Sequence, residues 1–163
     1  KIKDKINSFG NFSFAAEYLI DNSMIEKAEK NLLLCLKDKY VLCEFSYIGM
    51  AVNYHEIIYK LILNGYRPII AHPERYFYFD KNMEQMFNLK KMGCKFQLNL
   101  FSTTGYYGKK VLSLSNFLIK KNFIDFVGTD IHKESDLLKF DSLVKIQDLK
   151  GLENAIDNNY LFI

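Results

Sequence analysis

The segment PIIAHPERY, residues 68–76, indicates both the fold class of this protein and the position of its functional site. Pro68 to Ala71 form an apolar run typical of a strand that is buried on both faces, as strands of parallel sheets are. The run ends at His72, and burial of an ionisable imidazole there costs free energy unless the ring binds a metal or forms hydrogen bonds. The segment therefore predicts a buried strand that delivers a functional histidine.

The same pattern, a short apolar run followed by an amphipathic helical stretch, repeats along the whole chain. Repeated βα units predict an α/β protein with a parallel sheet or barrel. The apolar runs predict strands at residues 12–16, 40–45, 67–71, 95–100 and 124–128. Helices are predicted at residues 22–36, 52–63, 81–92 and 109–121, followed by a helical C-terminal segment.

The composition is that of an ordinary globular protein, with 49% apolar and 25% charged residues in 163, which predicts a single domain over residues 1–163. Basic and acidic residues are interspersed and form no basic track, so no nucleic-acid partner is expected. Three cysteines without a CxxC pair suit the reduced thiols of a cytoplasmic protein. Neither a signal peptide nor an apolar run of ~18 residues is present, so we expect no membrane insertion.

Polar residues mark the ends of the five predicted strands, at a spacing of about one βα unit. These positions are Glu17, Glu44, His72, Asn99 and Asp130. Because a parallel fold brings the carboxyl ends of its strands to one face, we expect these side chains to meet there. His132 joins them, because alternation along an extended chain would turn it to the same side as Asp130.

Carboxylates and imidazoles together form a ligand set that suits Mn, Fe or Zn in a hydrolytic centre. The predicted metal ligands are Glu17, Glu44, His72, Asp130 and His132. Structural explanations stay open for each residue alone: the glutamates as loop acids, His72 as a core histidine bonded to a carbonyl, and Asp130 as a helix N-cap. The coincidence of polar residues at the ends of five successive predicted strands favours the metal site.

Arg75 follows His72 by three residues and would lie just above such a metal site. A guanidinium group can hold a phosphoryl group through two parallel hydrogen bonds while a metal-bound hydroxide attacks it. The alternative for Arg75 is a surface ion pair with Glu74 or Glu84. Residues 102–110, STTGYYGKK, add hydroxyl groups, glycines and lysines that could receive an anion, or they form only a loop leading to a helix.

Four motifs carry a resemblance to a known family: AAEYLID at residues 15–21, AHPERY at 71–76, QLNLFSTTGYYGKK at 97–110 and FVGTDIH at 126–132. Together they closely resemble the polymerase-and-histidinol-phosphatase (PHP) family. Within that family they are similar to the bacterial metal-dependent protein-tyrosine phosphatases of the CpsB/CapC/YwqE type. The resemblance covers essentially the whole chain.

The resemblance implies a distorted PHP-type (β/α)7 TIM-like barrel with up to about three divalent ions, Mn²⁺ or else Fe or Zn, at its C-terminal mouth. By this resemblance Glu17 bridges two metals, Glu44 and His72 bind one of them, and Asp130 and His132 are the last pair of ligands. The implied catalytic residues are Arg75, His72 and Asp130. The predicted substrate-binding residues are Arg75, which the resemblance implies, and Ser102 and Tyr106, which lie in the loop after the fourth predicted strand.

The sequence also departs from the family pattern, since it lacks the early His-x-His strand and a later Thr-Pro-His strand. Of its three histidines, His55 falls inside a predicted helix and is assigned no role. We therefore expect the first βα units to be missing from this chain and the metal cluster to be incomplete. The barrel would then be open, with exposed edges that favour association into oligomers.

The implied activity is metal-dependent hydrolysis of protein phosphotyrosine. The implied partner is the phosphotyrosine tail of a bacterial tyrosine autokinase that controls capsule and exopolysaccharide assembly. A cysteine route is excluded, because no cysteine is followed six positions later by arginine. The alternatives are a small-molecule phosphoesterase of the histidinol-phosphatase kind, a non-catalytic binding remnant and, last, an assembly surface formed by the open edge.

Overall fold

A computed structural model describes residues 13–81 and 83–163 and contains one parallel five-stranded sheet. The strand order is that of the sequence, and each strand pairs in parallel with the next one along the chain. The strands are β1 (Glu17–Leu19), β2 (Tyr40–Glu44), β3 (Arg67–Ala71), β4 (Lys95–Asn99) and β5 (Phe126–Gly128). The prediction of an α/β protein with a parallel sheet is confirmed, and over the described residues this sheet is open.

Helices connect the successive strands. They are α1 (Ser23–Glu29), α2 (Tyr54–Leu63), α3 (Phe77–Lys81), α4 (Met83–Lys91), α5 (Lys109–Lys120) and α6 (Leu149–Asp157). Short 3₁₀ turns lie at Lys37–Lys39, Pro73–Arg75, Leu100–Thr104, Glu134–Asp141 and Asn158–Phe162. Gly65 and Gly93 follow α2 and α4 with φ angles of 79° and 97°, a left-handed conformation that ends a helix and that glycine adopts without strain. Within the described part of the chain, every helix is too short or too polar to cross a bilayer.

The sheet buries its two faces in different ways. On one face, strand residues such as Val41 and Phe96 pack in the main hydrophobic core with the inner faces of the helices, including Ile57 of α2 and Leu118 of α5. On the other face a smaller cluster lies toward the amino ends of the strands, where Phe162 from the C-terminal turn joins strand residues. That cluster comprises Tyr40, Ile69 and Phe126, with Leu36, Leu42 and Phe162 packed against them. Polar residues lie at the carboxyl ends of the strands.

The structure corrects the prediction for the first strand. Phe12 lies outside the described residues, and residues 13–16 are not part of a strand, with Phe14 60% exposed. The strand begins instead at Glu17, which is the first residue to pair with β2 and lies opposite Leu42. The pairing extends to Leu19, which lies opposite Glu44, and the N–H of Ile20 continues it by donating to the Glu44 carbonyl at 2.8 Å. Glu17 therefore starts β1 rather than following it.

The other boundaries differ less from the predictions. Strand β3 is observed as predicted, β2 and β4 each end one residue earlier, and β5 begins at Phe126 rather than at residue 124. The predicted helix 22–36 is wrong beyond residue 29, because Asn31 adopts a left-handed φ of 53° that an α-helix cannot continue through. The apolar residues after it, such as Leu33, lie in the connection to β2 and pack on the core from there.

Candidate functional site

A cavity of about 700 Å³ opens at the carboxyl ends of the strands. It is lined by Glu17, Glu44, Tyr47, His72, Arg75, Tyr106, Tyr107, Asp130, His132, Lys133 and Asp136. The structure thus brings together all five predicted metal ligands, the predicted phosphate-binding arginine and Tyr106. The lining mixes carboxylates, imidazoles and one arginine with three tyrosine rings, so the cavity suits a ligand that is anionic at one end and aromatic at the other.

His72 enters the cavity directly from β3. Its backbone N–H donates to the carbonyl of Gln97 at 2.7 Å, and its left-handed backbone (φ 36°) turns the chain sharply out of the sheet. Its Nε2 lies 3.2 Å from Oε1 of Glu17 and 3.7 Å from Oε2 of Glu44. A left-handed conformation at a non-glycine residue is uncommon and is often found at functional sites. The alternative of a core histidine bonded to a carbonyl is wrong, because the ring faces carboxylates.

Asp130 is the centre of the polar contacts in the cavity. Its Oδ2 accepts hydrogen bonds from Nη1 of Arg75 at 2.5 Å and from Nδ2 of Asn99 at 3.2 Å, while its Oδ1 lies 2.7 Å from Nε2 of His132. The predicted extended geometry is wrong, since Asp130 has a φ of 51°. The N-cap alternative is also wrong, because the next helical turn begins only at Glu134. Asp130 and His132 still meet, through the turn rather than through strand alternation.

Three of the predicted ligands form a compact donor set. One ligand atom from each of Glu17, His72 and Asp130 lies within 4.8 Å of the other two. Burial, together with repulsion by Glu17, raises the pKa of Glu44, and a cation beside these carboxylates would relieve that repulsion. Two carboxylates and an imidazole match the preferences of Mn, Fe and Zn, so the residues present fit a divalent metal ion. Glu44 and His132 line the same cavity outside this three-atom group.

Arg75 is held between the donor set and two tyrosine rings. Its guanidinium carbon lies 4.4 Å from the centre of the Tyr107 ring and 5.2 Å from that of Tyr47, distances typical of cation–π contacts. Tyr47 also stacks nearly parallel on the His72 ring, with 5.9 Å between ring centres. Burial raises the pKa of Tyr47 to about 12, so its phenol stays protonated at neutral pH. Arg75 pairs with Asp130 in the cavity, so the alternative of a surface ion pair with Glu74 or Glu84 is wrong.

The structure does not bring Ser102 to this cavity. Its side chain is fully buried, and its hydroxyl group donates to Oε1 of Glu74 at 2.6 Å. We therefore do not retain Ser102 as a substrate contact. Sequence reasoning missed Tyr47 as a cavity residue, although its position three residues after Glu44, in the loop that follows β2, was a usable signal.

The chain matches one known protein family over most of its length. The family model described as "Capsular polysaccharide synthesis, CpsB/CapC" matches residues 2–138. The chain is 36% identical over 104 residues to the tyrosine-protein phosphatase YwqE of Bacillus subtilis, covering 63% of this chain and 41% of YwqE. It is 29% identical over 143 residues to the putative tyrosine-protein phosphatase CapC of Staphylococcus aureus, covering 81% of this chain and 56% of CapC. The chain therefore spans about half the length of the curated relatives that it matches.

Similarity extends to three dimensions. A solved chain from the work "Crystal structures of YwqE from Bacillus subtilis and CpsB from Streptococcus pneumoniae, unique metal-dependent tyrosine phosphatases" superposes with a TM-score of 0.77 at 28% sequence identity. The match covers 99% of this chain and 66% of that chain. The parallel sheet and its connections are thus shared with structurally characterised metal-dependent phosphatases.

Proposed function

Because this chain belongs to the CpsB/CapC capsular polysaccharide synthesis family, we propose that it acts as a metal-dependent protein-tyrosine phosphatase. The observation that carries the proposal is the convergence of Glu17, His72 and Asp130 within 4.8 Å, with Arg75 bonded to Asp130 in the same cavity. This arrangement joins a metal-binding donor set to a phosphate-binding group. It also agrees with the names of the relatives, which are tyrosine-protein phosphatases.

Glu17, His72 and Asp130 would hold the metal, with Glu44 and His132 as further donors. We propose Mn²⁺, or else Fe or Zn, with up to about three ions in the complete site. When bound, the metal polarises the phosphoryl group and lowers the pKa of a bound water, so that a nucleophile exists near neutral pH. The ligand atoms of Glu17, His72 and Asp130 lie close enough together to bind one such ion.

Arg75 would bind the phosphate oxygens. Its guanidinium has several N–H donors, of which one is directed to Asp130, and its side chain is only 19% exposed, so a phosphate would meet it in a poorly hydrated setting. The rings of Tyr47 and Tyr107 restrict the movement of the guanidinium. Arg75 would therefore hold the phosphoryl group against the donor set and stabilise the charge that develops during hydrolysis.

The aromatic lining favours an aryl phosphate as substrate. Tyr47 and Tyr107 form part of the wall, and Tyr106, 56% exposed, stands at the edge of the cavity, where it can contact a phosphotyrosine ring. We propose as substrate the phosphotyrosine tail of a bacterial tyrosine kinase that controls capsule or exopolysaccharide synthesis. A cysteine nucleophile is disfavoured by a second observation, because burial raises the pKa of the Cys94 thiol to about 12 and that of Cys43 also well above its ordinary value.

The sheet supports a finer architectural proposal, a PHP-type distorted (β/α)7 TIM-like barrel formed by a single domain. Strands follow one another in sequence order, and the connecting helices share one core on one sheet face. Singly wound barrels have this arrangement, whereas doubly wound sheets place helices on both faces.

The free thiols of Cys35, Cys43 and Cys94 support a cytoplasmic location. Over the described residues, the sheet has an exposed edge at β1, and copies of the chain could associate through it.

The test is phosphate release from a phosphotyrosine peptide with added Mn²⁺, compared with a phosphoserine peptide and small phosphate monoesters. We expect turnover of phosphotyrosine that a chelator abolishes. His72→Ala should remove it, whereas His55→Ala, which changes an exposed histidine on α2, should leave it intact. Absence of both phosphate release and Mn²⁺ binding would exclude the proposed activity, and a preference for small monoesters would indicate a small-molecule phosphoesterase.

A further inference from the structure

Glu74 is a buried carboxylate beside the candidate metal site that the proposed chemistry does not use. It is 1% exposed and lies in the turn between β3 and α3, two residues after His72. Its Oε1 accepts hydrogen bonds from the hydroxyl group of Ser102 at 2.6 Å and from the backbone N–H of Asn99 at 3.1 Å. Burial raises the pKa of Glu74, against the opposing effect of the Ser102 hydrogen bond. A carboxyl group buried at this cost calls for a role.

The second oxygen of Glu74 points to that role. Among residues 13–81 and 83–163, the buried side-chain polar atoms without a hydrogen-bond partner are Oε2 of Glu74 and Nδ1 of His72. Both belong to the same tight turn, and the His72 ring is 4% exposed. A buried polar group without a hydrogen-bond partner costs free energy, so two such atoms in one turn require an explanation.

The chemistry of metal-bound histidine explains both unpartnered atoms. When an imidazole binds a metal through Nε2, its proton resides on Nδ1, and that N–H ordinarily donates to a carboxylate, a carbonyl or a water. In His72 it is Nε2 that faces the carboxylates of Glu17 and Glu44. Nδ1 therefore faces away from the cavity, and Glu74 is the carboxylate of the same turn with an oxygen to spare.

We propose that Glu74 is a positioning residue whose Oε2 accepts a hydrogen bond from the Nδ1–H of His72, directly or through one water, and so aims Nε2 at the metal. The inference rests on the proposed function only for the presence of a metal ion. Through Oε1 the same carboxylate holds the backbone of Asn99, whose side chain donates to Asp130. Glu74 thereby links the placement of two metal ligands, His72 and Asp130, that come from different strands.

The competing explanation is that Glu74 only joins two turns, through its bonds to Ser102 and Asn99. Two substitutions separate these roles. Glu74→Gln keeps an oxygen for Ser102 and replaces the other oxygen with an amide nitrogen, which cannot accept a hydrogen bond from Nδ1–H. Ser102→Ala removes a hydrogen bond of Oε1 and leaves Oε2 unchanged.

The experiment is a calorimetric titration with Zn²⁺, chosen because it is diamagnetic, combined with nitrogen NMR of ¹⁵N-histidine-labelled protein. The three histidines of the chain give a simple spectrum, in which His55 is an internal reference. We expect Glu74→Gln to bind Zn²⁺ about 10-fold to 100-fold more weakly and to shift the Nδ1 signal of His72. Ser102→Ala should keep its zinc affinity within about threefold of wild type, with the same Nδ1 signal.

The matched control is Asp125→Asn, because Asp125 also accepts a β4 backbone N–H, from Phe96, but does not line the cavity. Equal zinc affinity and an unchanged Nδ1 signal in Glu74→Gln would overturn the inference. Equal losses in Glu74→Gln and Ser102→Ala would overturn it in favour of the purely structural role. If the wild-type chain bound no zinc and no manganese, the proposed metal-dependent function would fail first, and the inference with it.

Discussion

Replacement of Arg75 by lysine should separate catalysis from stability. The chain has two arginines, Arg67 and Arg75, and both contact aromatic rings. Lysine keeps the positive charge of Arg75 but loses the planar fork that binds two phosphate oxygens at once. We expect the substitution to reduce phosphotyrosine hydrolysis strongly while the protein stays folded.

The expected losses of kcat and of stability follow from the groups that Arg75 contacts. Loss of one preorganised donor to a reacting oxyanion typically lowers kcat about 10²-fold to 10³-fold, or roughly 2.7–4 kcal/mol. The effect on folding is smaller, because a lysine can still donate a charged hydrogen bond to Asp130 and loses mainly the stacking on Tyr47 and Tyr107. At about 0.5–1 kcal/mol for each ring, Arg75→Lys should lower the free energy of unfolding by about 1–2 kcal/mol.

The assay is kcat on a saturating phosphotyrosine peptide with Mn²⁺, alongside urea unfolding of the same preparations. Arg67→Lys is the matched control, since Arg67 lies at the exposed start of β3, 5.3 Å from the Tyr40 ring, and does not line the cavity. Its kcat should equal that of wild type. A folded Arg75→Lys enzyme with kcat within about threefold of wild type would refute the assignment of Arg75 to the phosphate, because the expected loss is about 10²-fold or more.

Three further predictions concern stability. Asp125→Asn should lower the free energy of unfolding in urea by about 1.5–3 kcal/mol, because Asp125 accepts charged hydrogen bonds from Lys90 and Lys95, and a loss below about 0.5 kcal/mol would contradict this. Phe162→Ala should lower the free energy of unfolding by about 1.5–3 kcal/mol in the same assay, which is less than for a fully buried phenylalanine because Phe162 is partly exposed. An unchanged urea midpoint would show that the C-terminal turn does not pack as observed. With a chelator present, stability should fall as pH rises above about 4.5 through the raised pKa of Glu44, because the folded state binds more protons than the unfolded state in that range. Glu44→Gln should reduce this slope of melting temperature against pH, and an identical slope would contradict the cause assigned to it.

The sequence predicted the sheet well where strands are buried on both faces. The run 67–71 became β3 without change, since continuous burial selects a continuous apolar run and the glycines before β3 and β4 mark the preceding helix ends. The prediction failed at the first strand, which lies at the edge of the sheet that the described residues form. An edge strand has one neighbour and less burial, so apolar residues such as Phe14 do not mark it reliably.

The candidate site was predictable from a topological rule. Glu44, His72 and Asp130 follow or end parallel strands, and the rule that such ends share one face brought them together. Glu17 lines the same cavity although it is the first residue of β1, so the rule does not account for its position. Ser102 shows the limit of the rule, because a polar residue after a strand can turn inward to satisfy a buried carboxylate.

The order of βα units, the residue types at the strand ends and the family of the chain can all be read from the amino-acid sequence. Which atoms meet depends on the folded structure, where Arg75 contacts Asp130 across 55 positions and Glu74 contacts Ser102 across 28. Periodicity reports which side of an element is buried, and it follows from local backbone geometry. Contacts between distant residues depend on strand register, on turns such as the left-handed one at His72, and on side-chain conformation, all of which are settled only when the whole chain packs.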